Sequence, residues 1–107
     1  MASDGFQRVA VLSEVPRGAT LCITFDEREI LLCHTAEGLF AVDNLCSHAE
    51  ARLCDGRLKG HRIFCPLHGG AFDVRDGSAL ARPATMPIPT YAVRLEGEDV
   101  LLCPDPV

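Results

Sequence analysis

Two short clusters of metal-binding side chains constrain this chain more than any other feature of its sequence. Cys46 and His48 form the first cluster, Cys65 and His68 form the second, and sixteen residues separate His48 from Cys65. Two thiolates and two imidazoles can hold one tetrahedral zinc ion, or a [2Fe–2S] cluster with the cysteines on one iron and the histidines on the other. The spacing therefore predicts a metal centre.

The order of the ligands favours two irons over one zinc. Zinc ribbons and fingers usually keep like ligands together, as Cys-x2-Cys or His-x3–5-His. Here each cluster combines one thiolate with one imidazole, so each of the two loops can reach both metals of a binuclear centre. A structural zinc module stays open as an alternative.

The motif Cys46-x-His48-x16-Cys65-x2-His68 resembles the signature of Rieske iron–sulfur proteins. The match continues through three further residues of the second cluster, Pro66, Gly69 and Gly70. The resemblance covers nearly the whole chain and implies one Rieske-type [2Fe–2S] cluster. It also implies that Cys46 and Cys65 hold the buried iron, while His48 and His68 hold the iron nearest the surface.

The rest of the chain has the pattern of short strands separated by turns, without a long helical stripe. We therefore predict an all-β fold for this domain of 107 residues. The predicted strands are Gln7–Leu12, Thr20–Phe25, Glu29–Thr35, Leu39–Asn44, Arg62–Phe64, Ala71–Asp73, Tyr91–Glu96 and Asp99–Cys103.

The resemblance implies a Rieske-like antiparallel β sandwich or barrel with a smaller inserted cluster-binding subdomain. Residues 1–44 and 87–107 should form the base, and residues 45–86, approximately, the cluster-binding subdomain. Within that subdomain Arg82-Pro83-Ala84 resembles the proline-containing loop that closes over the cluster in this family. An ordinary connection between strands is the alternative interpretation.

Four cysteines remain outside the motif. A hairpin centred between Glu27 and Arg28 would place Cys22 directly opposite Cys33, as two free thiols on facing strands. Cys22, Cys33 and Cys103 have the surroundings of small core hydrophobes. For Cys54 we expect a packed thiol, and for His34 and His61 solvated or partly packed side chains, so none of these is a predicted ligand.

Charge and hydropathy restrict the classes of function. The net charge is −5 and no block of Lys or Arg occurs, which argues against nucleic-acid binding. An acidic carrier is suited to basic patches on redox partners, although the charge could also serve solubility alone. Neither an apolar stretch long enough for a membrane span nor a signal-peptide start is present, so we expect a cytoplasmic protein without membrane association.

The sequence lacks a second constellation of two His and a carboxylate for mononuclear iron, so we do not expect an enzyme. The chain resembles stand-alone Rieske ferredoxins of bacterial aromatic-ring-hydroxylating dioxygenase systems. That resemblance implies a flavin-containing, NAD(P)H-dependent reductase as electron donor and a terminal oxygenase as acceptor. Docking is expected to be transient, by a monomer, at a patch near His48 and His68 that comprises Ser47, Leu67 and Gly69.

One alternative function is the small Rieske-like subunit of assimilatory nitrite reductase. The redox potential is expected to be low, because the chain departs from the high-potential members of the family. Ala51 and Leu67 stand where those members have disulfide cysteines, and Gly70 and Phe72 stand where they have hydroxyl donors. We predict a midpoint near or below about −100 mV, toward the lower end of the Rieske range.

Overall fold

The computed structural model describes residues 5–25, 27–46, 51–66, 70–82, 84 and 86–107. Within these ranges the chain forms ten strands and two 3-10 turns, and contains no α-helix. The strands are β1 (Gln7–Val11), β2 (Thr20–Phe25), β3 (Arg28–Thr35), β4 (Gly38–Asp43), β5 (Arg57–Lys59), β6 (Arg62–Phe64), β7 (Ala71–Asp73), β8 (Ala79–Ala81), β9 (Thr90–Glu96) and β10 (Asp99–Pro106). The predicted all-β fold is confirmed.

The strands form two antiparallel sheets. The larger sheet has six strands in the order β1-β10-β9-β4-β3-β2, and the smaller has four in the order β5-β6-β7-β8. The smaller sheet lies in sequence between β4 and β9, which are hydrogen-bonded neighbours in the larger one. The four-stranded sheet is thus an insertion between two paired strands of the six-stranded sheet.

All eight predicted strands are present, with bounds that differ by at most three residues. Two further strands, β5 and β8, have three residues each and were not predicted. Arg57-Leu58-Lys59 is mostly charged, and Ala79-Leu80-Ala81 has no β-branched or aromatic residue, so neither segment carries a strand signal of its own. Pairing with β6 and β7 makes them strands.

The predicted register of the β2–β3 hairpin is wrong. Phe25 pairs with Arg28, so the turn lies one residue earlier than expected, and Glu27 takes a positive φ of 66° within it. Cys22 consequently pairs with Leu31, while Cys33 pairs with Thr20. Because the turn moves by one residue, the partner of each strand residue changes by two positions. Every side chain therefore stays on its predicted face of the sheet. Two-residue turns suit the twist of hairpin strands, which explains the shorter loop.

Strand β3 is buried on both faces and divides the core into two clusters. Leu31 and Cys33 belong to a cluster that includes Ile63 and Phe72 of the four-stranded sheet. On the other face, Ile30 and Leu32 belong to a second apolar cluster, which contains residues of the six-stranded sheet. The first cluster therefore joins the two sheets, and it is the one that contains Cys46 and Cys65.

Burial of the other cysteines differs from the prediction. Cys33 is fully buried, as expected of a core residue, and burial raises the pKa of its thiol to about 12. Cys22 is exposed and Cys103 is half-buried, so the prediction of core positions is wrong for both. For Cys22 the reason is that β2 is an edge strand of the six-stranded sheet.

Over the described ranges, the structure contains no helix with the length and apolar character needed to span a membrane.

Candidate metal centre

Cys46 stands at the entrance of a short loop that follows β4. Its backbone N–H donates to the carbonyl of Ala51 at 2.9 Å. One step further out, the N–H of Leu53 donates to the carbonyl of Asn44 at 2.7 Å. These bonds join the two ends of residues 46–51, which we call the first loop. The first predicted ligand is therefore held where the loop leaves the sheet.

Cys65 has the same position in the second loop, residues 65–70, which connects β6 with β7. Its backbone N–H donates to the carbonyl of Gly70 at 2.7 Å, and the preceding Phe64 pairs with Ala71. Each predicted thiolate ligand is therefore anchored through its own backbone at the base of its loop. The two loops use one arrangement at two places in the fold.

The two cysteines are buried in one apolar cluster. Cys46 is 7% exposed and Cys65 is 4% exposed, and their cluster also contains Leu53, Phe72 and Ala84. A thiolate is costly in such surroundings unless a cation compensates its charge. Two thiol donors in a water-poor cluster fit the sulfur half of a [2Fe–2S] cluster, whose iron ions supply that positive charge.

The predicted imidazole ligands His48 and His68 lie outside the described residues, as do Ser47, Leu67 and Gly69 of the predicted docking patch. Over the ranges that are described, no group of three or more His, Cys, Asp or Glu side chains converges as a metal site. The structure thus brings Cys46 and Cys65 into one apolar cluster of side chains, while the ligand roles of the two histidines stay predictions.

The other two histidines are partly packed, as expected. His34 on β3 has its Nδ1 atom 2.8 Å from the carbonyl oxygen of Val15. His61, which precedes β6, has its Nε2 atom 3.7 Å from the Asp73 carboxylate. Both imidazoles thus have partners elsewhere in the fold.

Asn44 is a positioning residue that was not predicted from the sequence. It is fully buried, and its Oδ1 atom accepts a hydrogen bond from the backbone N–H of Cys54 at 2.9 Å. Its Nδ2 atom donates to Glu29 at 3.0 Å and to the sulfur of Cys54 at 3.5 Å. These bonds fasten the 3-10 turn Leu53–Asp55, directly after the first loop, to β3. The signal available in the sequence was that this polar residue ends a predicted strand, two residues before the predicted ligand Cys46.

Gly56 brings the supports of the two loops together. A Cβ atom at this position would collide with the carbonyl oxygen of Phe64. Gly56 follows the 3-10 turn behind the first loop, and Phe64 is the last residue before Cys65. The absence of a side chain therefore allows the two anchoring segments to pack backbone against backbone.

The end of β7 is held by a charged network. Arg75 donates to both carboxylate oxygens of Asp73, at 3.0 Å from Nε and 2.8 Å from the terminal nitrogen. These hydrogen bonds hold the pKa of the Asp73 carboxyl below its ordinary value, against the opposing effect of its burial. Arg75 also approaches Glu37, in the turn between β3 and β4, at 3.6 Å. The network thus links the two sheets.

The predicted proline-containing loop is described in part. Pro83 lies outside the described residues, whereas Ala84 is 4% exposed and packs in the cluster that contains Cys46 and Cys65. The N–H of Ala84 donates to the carbonyl of Ala81 at 3.1 Å, at the end of β8. One residue of this segment therefore contacts the surroundings of the two thiols.

Comparison with known proteins identifies the family. Residues 5–92 match the Rieske [2Fe–2S] domain. The ferredoxin component of the naphthalene 1,2-dioxygenase system of Pseudomonas aeruginosa is 45% identical over 85% of this chain and 88% of its own length. The ferredoxin component of the naphthalene 1,2-dioxygenase/salicylate 5-hydroxylase systems of Ralstonia sp is 43% identical over 87% of this chain and 89% of its own length.

Among solved structures, the ferredoxin of carbazole 1,9a-dioxygenase from Nocardioides aromaticivorans IC177 superposes with a TM-score of 0.90. It is 36% identical, and the match covers 95% of this chain and all of that one. The similarity confirms the predicted Rieske-like fold and the interpretation as an electron-carrying ferredoxin of the kind found in aromatic dioxygenase systems, as opposed to an enzyme. The chain belongs to the Rieske [2Fe–2S] family and binds one Rieske-type [2Fe–2S] cluster.

Proposed function

We propose that this chain is the ferredoxin component of a multicomponent dioxygenase system that hydroxylates aromatic rings. It receives electrons from an NAD(P)H-dependent flavin reductase and delivers them, one at a time, to a terminal oxygenase. The observation that carries this proposal is the similarity to ferredoxin components of naphthalene dioxygenase systems over nearly the whole of both chains. The alternatives, a nitrite reductase subunit and a zinc module, have no comparable support.

The proposed ligands of the cluster are Cys46 and Cys65 for one iron and His48 and His68 for the other. Support comes from the two cysteines, which are buried in one apolar cluster at the bases of two loops that are closed in the same way. In sequence, one histidine follows each cysteine within the same loop. The bound cluster supplies reversible one-electron chemistry, and the apolar side chains around the two thiols exclude water from them.

The proposed division into a base, residues 1–44 and 87–107, and a cluster-binding subdomain, about 45–86, has topological support. All six strands of the larger sheet lie between Gln7 and Asp43 or between Thr90 and Pro106. All four strands of the smaller sheet lie between Arg57 and Ala81. The base would then act as a scaffold that presents both loops at one end.

We propose further that partners dock transiently, near His48 and His68, on a monomer in the cytoplasm. One supporting feature is Leu45, which directly precedes Cys46 and is 50% exposed although it is a large apolar residue. A partner that covered this side chain would remove its apolar surface from water. Reduced thiols such as the exposed Cys22 are expected in the cytoplasm.

Spectroscopy of a ligand variant tests the site. The EPR spectrum of the dithionite-reduced protein should be that of a Rieske centre, and His68→Ala should abolish it. His61→Ala is the matched control, because it removes the same side chain at a position outside the predicted ligand set. This imidazole is only partly packed and lies near Asp73. An unchanged spectrum in His68→Ala would remove that ligand assignment, and a colourless protein with stoichiometric zinc would replace the cluster by a zinc module.

Reconstitution tests the function. The purified chain should restore product formation when it replaces the ferredoxin component in an assay with the reductase and oxygenase of a naphthalene dioxygenase system. His68→Ala should fail in the same assay, and His61→Ala should support it. If the intact Rieske protein were reduced by no flavin reductase of such systems and co-purified with a sirohaem protein, the nitrite reductase alternative would be preferred.

A further inference from the structure

Two thiols outside the predicted ligand set lie next to each other. Cys22 is exposed on the edge strand β2, and Cys54 is half-buried in the 3-10 turn Leu53–Asp55, directly behind the first loop. Cys22 lies directly opposite Leu31 on the same face of the sheet, and Leu31 belongs to the apolar cluster against which Cys54 packs. The backbones of β2 and the turn approach within 8 Å of each other, so the contact joins the six-stranded sheet to the support of the first loop.

The surroundings keep this pair in place. The backbone N–H of Cys54 donates to Asn44 at 2.9 Å, and the Asn44 amide donates to the Cys54 sulfur at 3.5 Å. The Cys54 sulfur also lies 4.0 Å from the carboxylate of Asp55. Burial, followed by the neighbouring Cys54 sulfur, raises the pKa of Cys22 to about 11. The Cys22 thiol is therefore protonated at neutral pH, and its oxidation should be slow without an excess of oxidant.

We propose that Cys22 and Cys54 are an oxidation site, at which hydrogen peroxide joins β2 to the turn behind the first loop by a disulfide. One thiol is first oxidised to a sulfenic acid with release of one water. The second thiol then attacks that sulfur, an S–S bond forms, and a second water leaves. Two thiols thus lose two electrons and two protons in all, and one peroxide is reduced to two waters.

The position of the pair sets it apart from the other cysteines. Cys46 and Cys65 belong to the proposed cluster site, and Cys33 is fully buried in the core. Cys22 alone among the six cysteines is exposed, so a dissolved oxidant reaches it first. The resulting bridge would close 33 residues of chain, Cys22 to Cys54, which include β3 and the whole first loop. Such a bridge restricts the unfolded chain and should slow opening of the loop.

Peptide mapping tests the bridge on the protein with its cluster bound. Trypsin cleaves after Arg17, Arg28, Arg52 and Arg57, which separates Cys22 into residues 18–28 and Cys54 into residues 53–57, one cysteine in each. After treatment with hydrogen peroxide and alkylation of the remaining thiols, we expect these two peptides linked and two hydrogen atoms lighter than their sum. The visible spectrum should be retained, which excludes attack on the cluster.

Single serine variants provide the controls. Cys22→Ser and Cys54→Ser should each eliminate the linked peptide, whereas Cys103→Ser should form it as the wild type does, because Cys103 lies on β10 and outside the pair. The half-life of the visible spectrum at elevated temperature should lengthen several-fold after oxidation of the wild type, and should not lengthen for Cys54→Ser.

Three results would overturn the proposal. They are a disulfide between Cys22 residues of two chains, a bridge from Cys22 to Cys33, and linkage that appears only after the visible spectrum is lost. An intact bridge without any change in the half-life of the spectrum would refute the stabilising effect. None of these outcomes depends on which reductase or oxygenase the chain serves, so they test the disulfide independently of the proposed function.

Discussion

Replacement of Asn44 by alanine tests whether this residue fastens the first loop to the sheet. The variant removes the acceptor of the Cys54 N–H and the donor to Glu29, at 2.9 and 3.0 Å. A donor left unsatisfied in a partly buried place costs about 1–3 kcal/mol, and loss of a bond to a charged group costs about 1.5–3 kcal/mol. Glu29 keeps Arg52 at 3.1 Å and can turn toward water, which reduces the second loss.

We therefore expect Asn44→Ala to lower the free energy of unfolding by about 2–4 kcal/mol. A domain of this size loses roughly 4–8 °C of transition temperature for each kcal/mol, so the transition should fall by about 8–32 °C. The first loop should open before the rest of the fold, because Asn44 contacts the turn behind that loop. Loss of the visible spectrum should accordingly precede loss of the far-UV circular dichroism.

The assay is thermal denaturation of the protein with its cluster, followed by visible absorbance and circular dichroism together. Ser13→Ala, on an exposed residue of the 3-10 turn Leu12–Glu14, is the control and should change neither signal. Asn44→Asp retains an acceptor but places a second carboxylate beside Glu29, so Glu29→Gln should recover part of its loss. A transition within about 2 °C of wild type for Asn44→Ala would refute the reasoning, since it corresponds to less than one ordinary hydrogen bond.

Three further predictions concern the fold and the cluster. Gly77→Ala should lower the free energy of unfolding by about 1–3 kcal/mol more than Gly97→Ala does, as measured by thermal denaturation. Both glycines have a positive φ, 80° and 63°, but only at Gly77 would a Cβ atom collide with the backbone of Ile88. Equal losses in the two variants would contradict this close approach. Asp73→Asn should destabilise the protein at pH 7, and its transition temperature should converge with that of the wild type as the pH falls below about 4. The pKa of Asp73 is lowered in the folded state, so its ionised form stabilises the fold above the unfolded pKa, and this contribution is lost as the pH falls through the folded-state pKa. A difference in transition temperature that does not change with pH would exclude this origin. Protein-film voltammetry should give a midpoint near or below about −100 mV, and a midpoint above about +100 mV would show that hydroxyl donors are not needed for a high potential.

Most of the fold could be predicted because strands with an alternating or continuous apolar pattern carry their own signal. β2, β6 and β7 have the predicted bounds, and the faces of β3 are as the alternation requires. The three-residue strands β5 and β8 carry no such signal, since pairing with neighbours makes them strands. The register of β2 against β3 was missed for a related reason, because a slip of two residues leaves the apolar pattern unchanged.

The sequence by itself determined the cofactor and the family, because the number, type and order of the four proposed ligands leave few alternatives in any fold. It also determined the two faces of each strong strand, since the period of the side chains is local. Only the tertiary structure decided which groups meet across the chain: Asn44 with Cys54, Gly56 with Phe64, and β2 with the turn that contains Cys54. These contacts depend on the packing of one sheet against another, which no local pattern encodes.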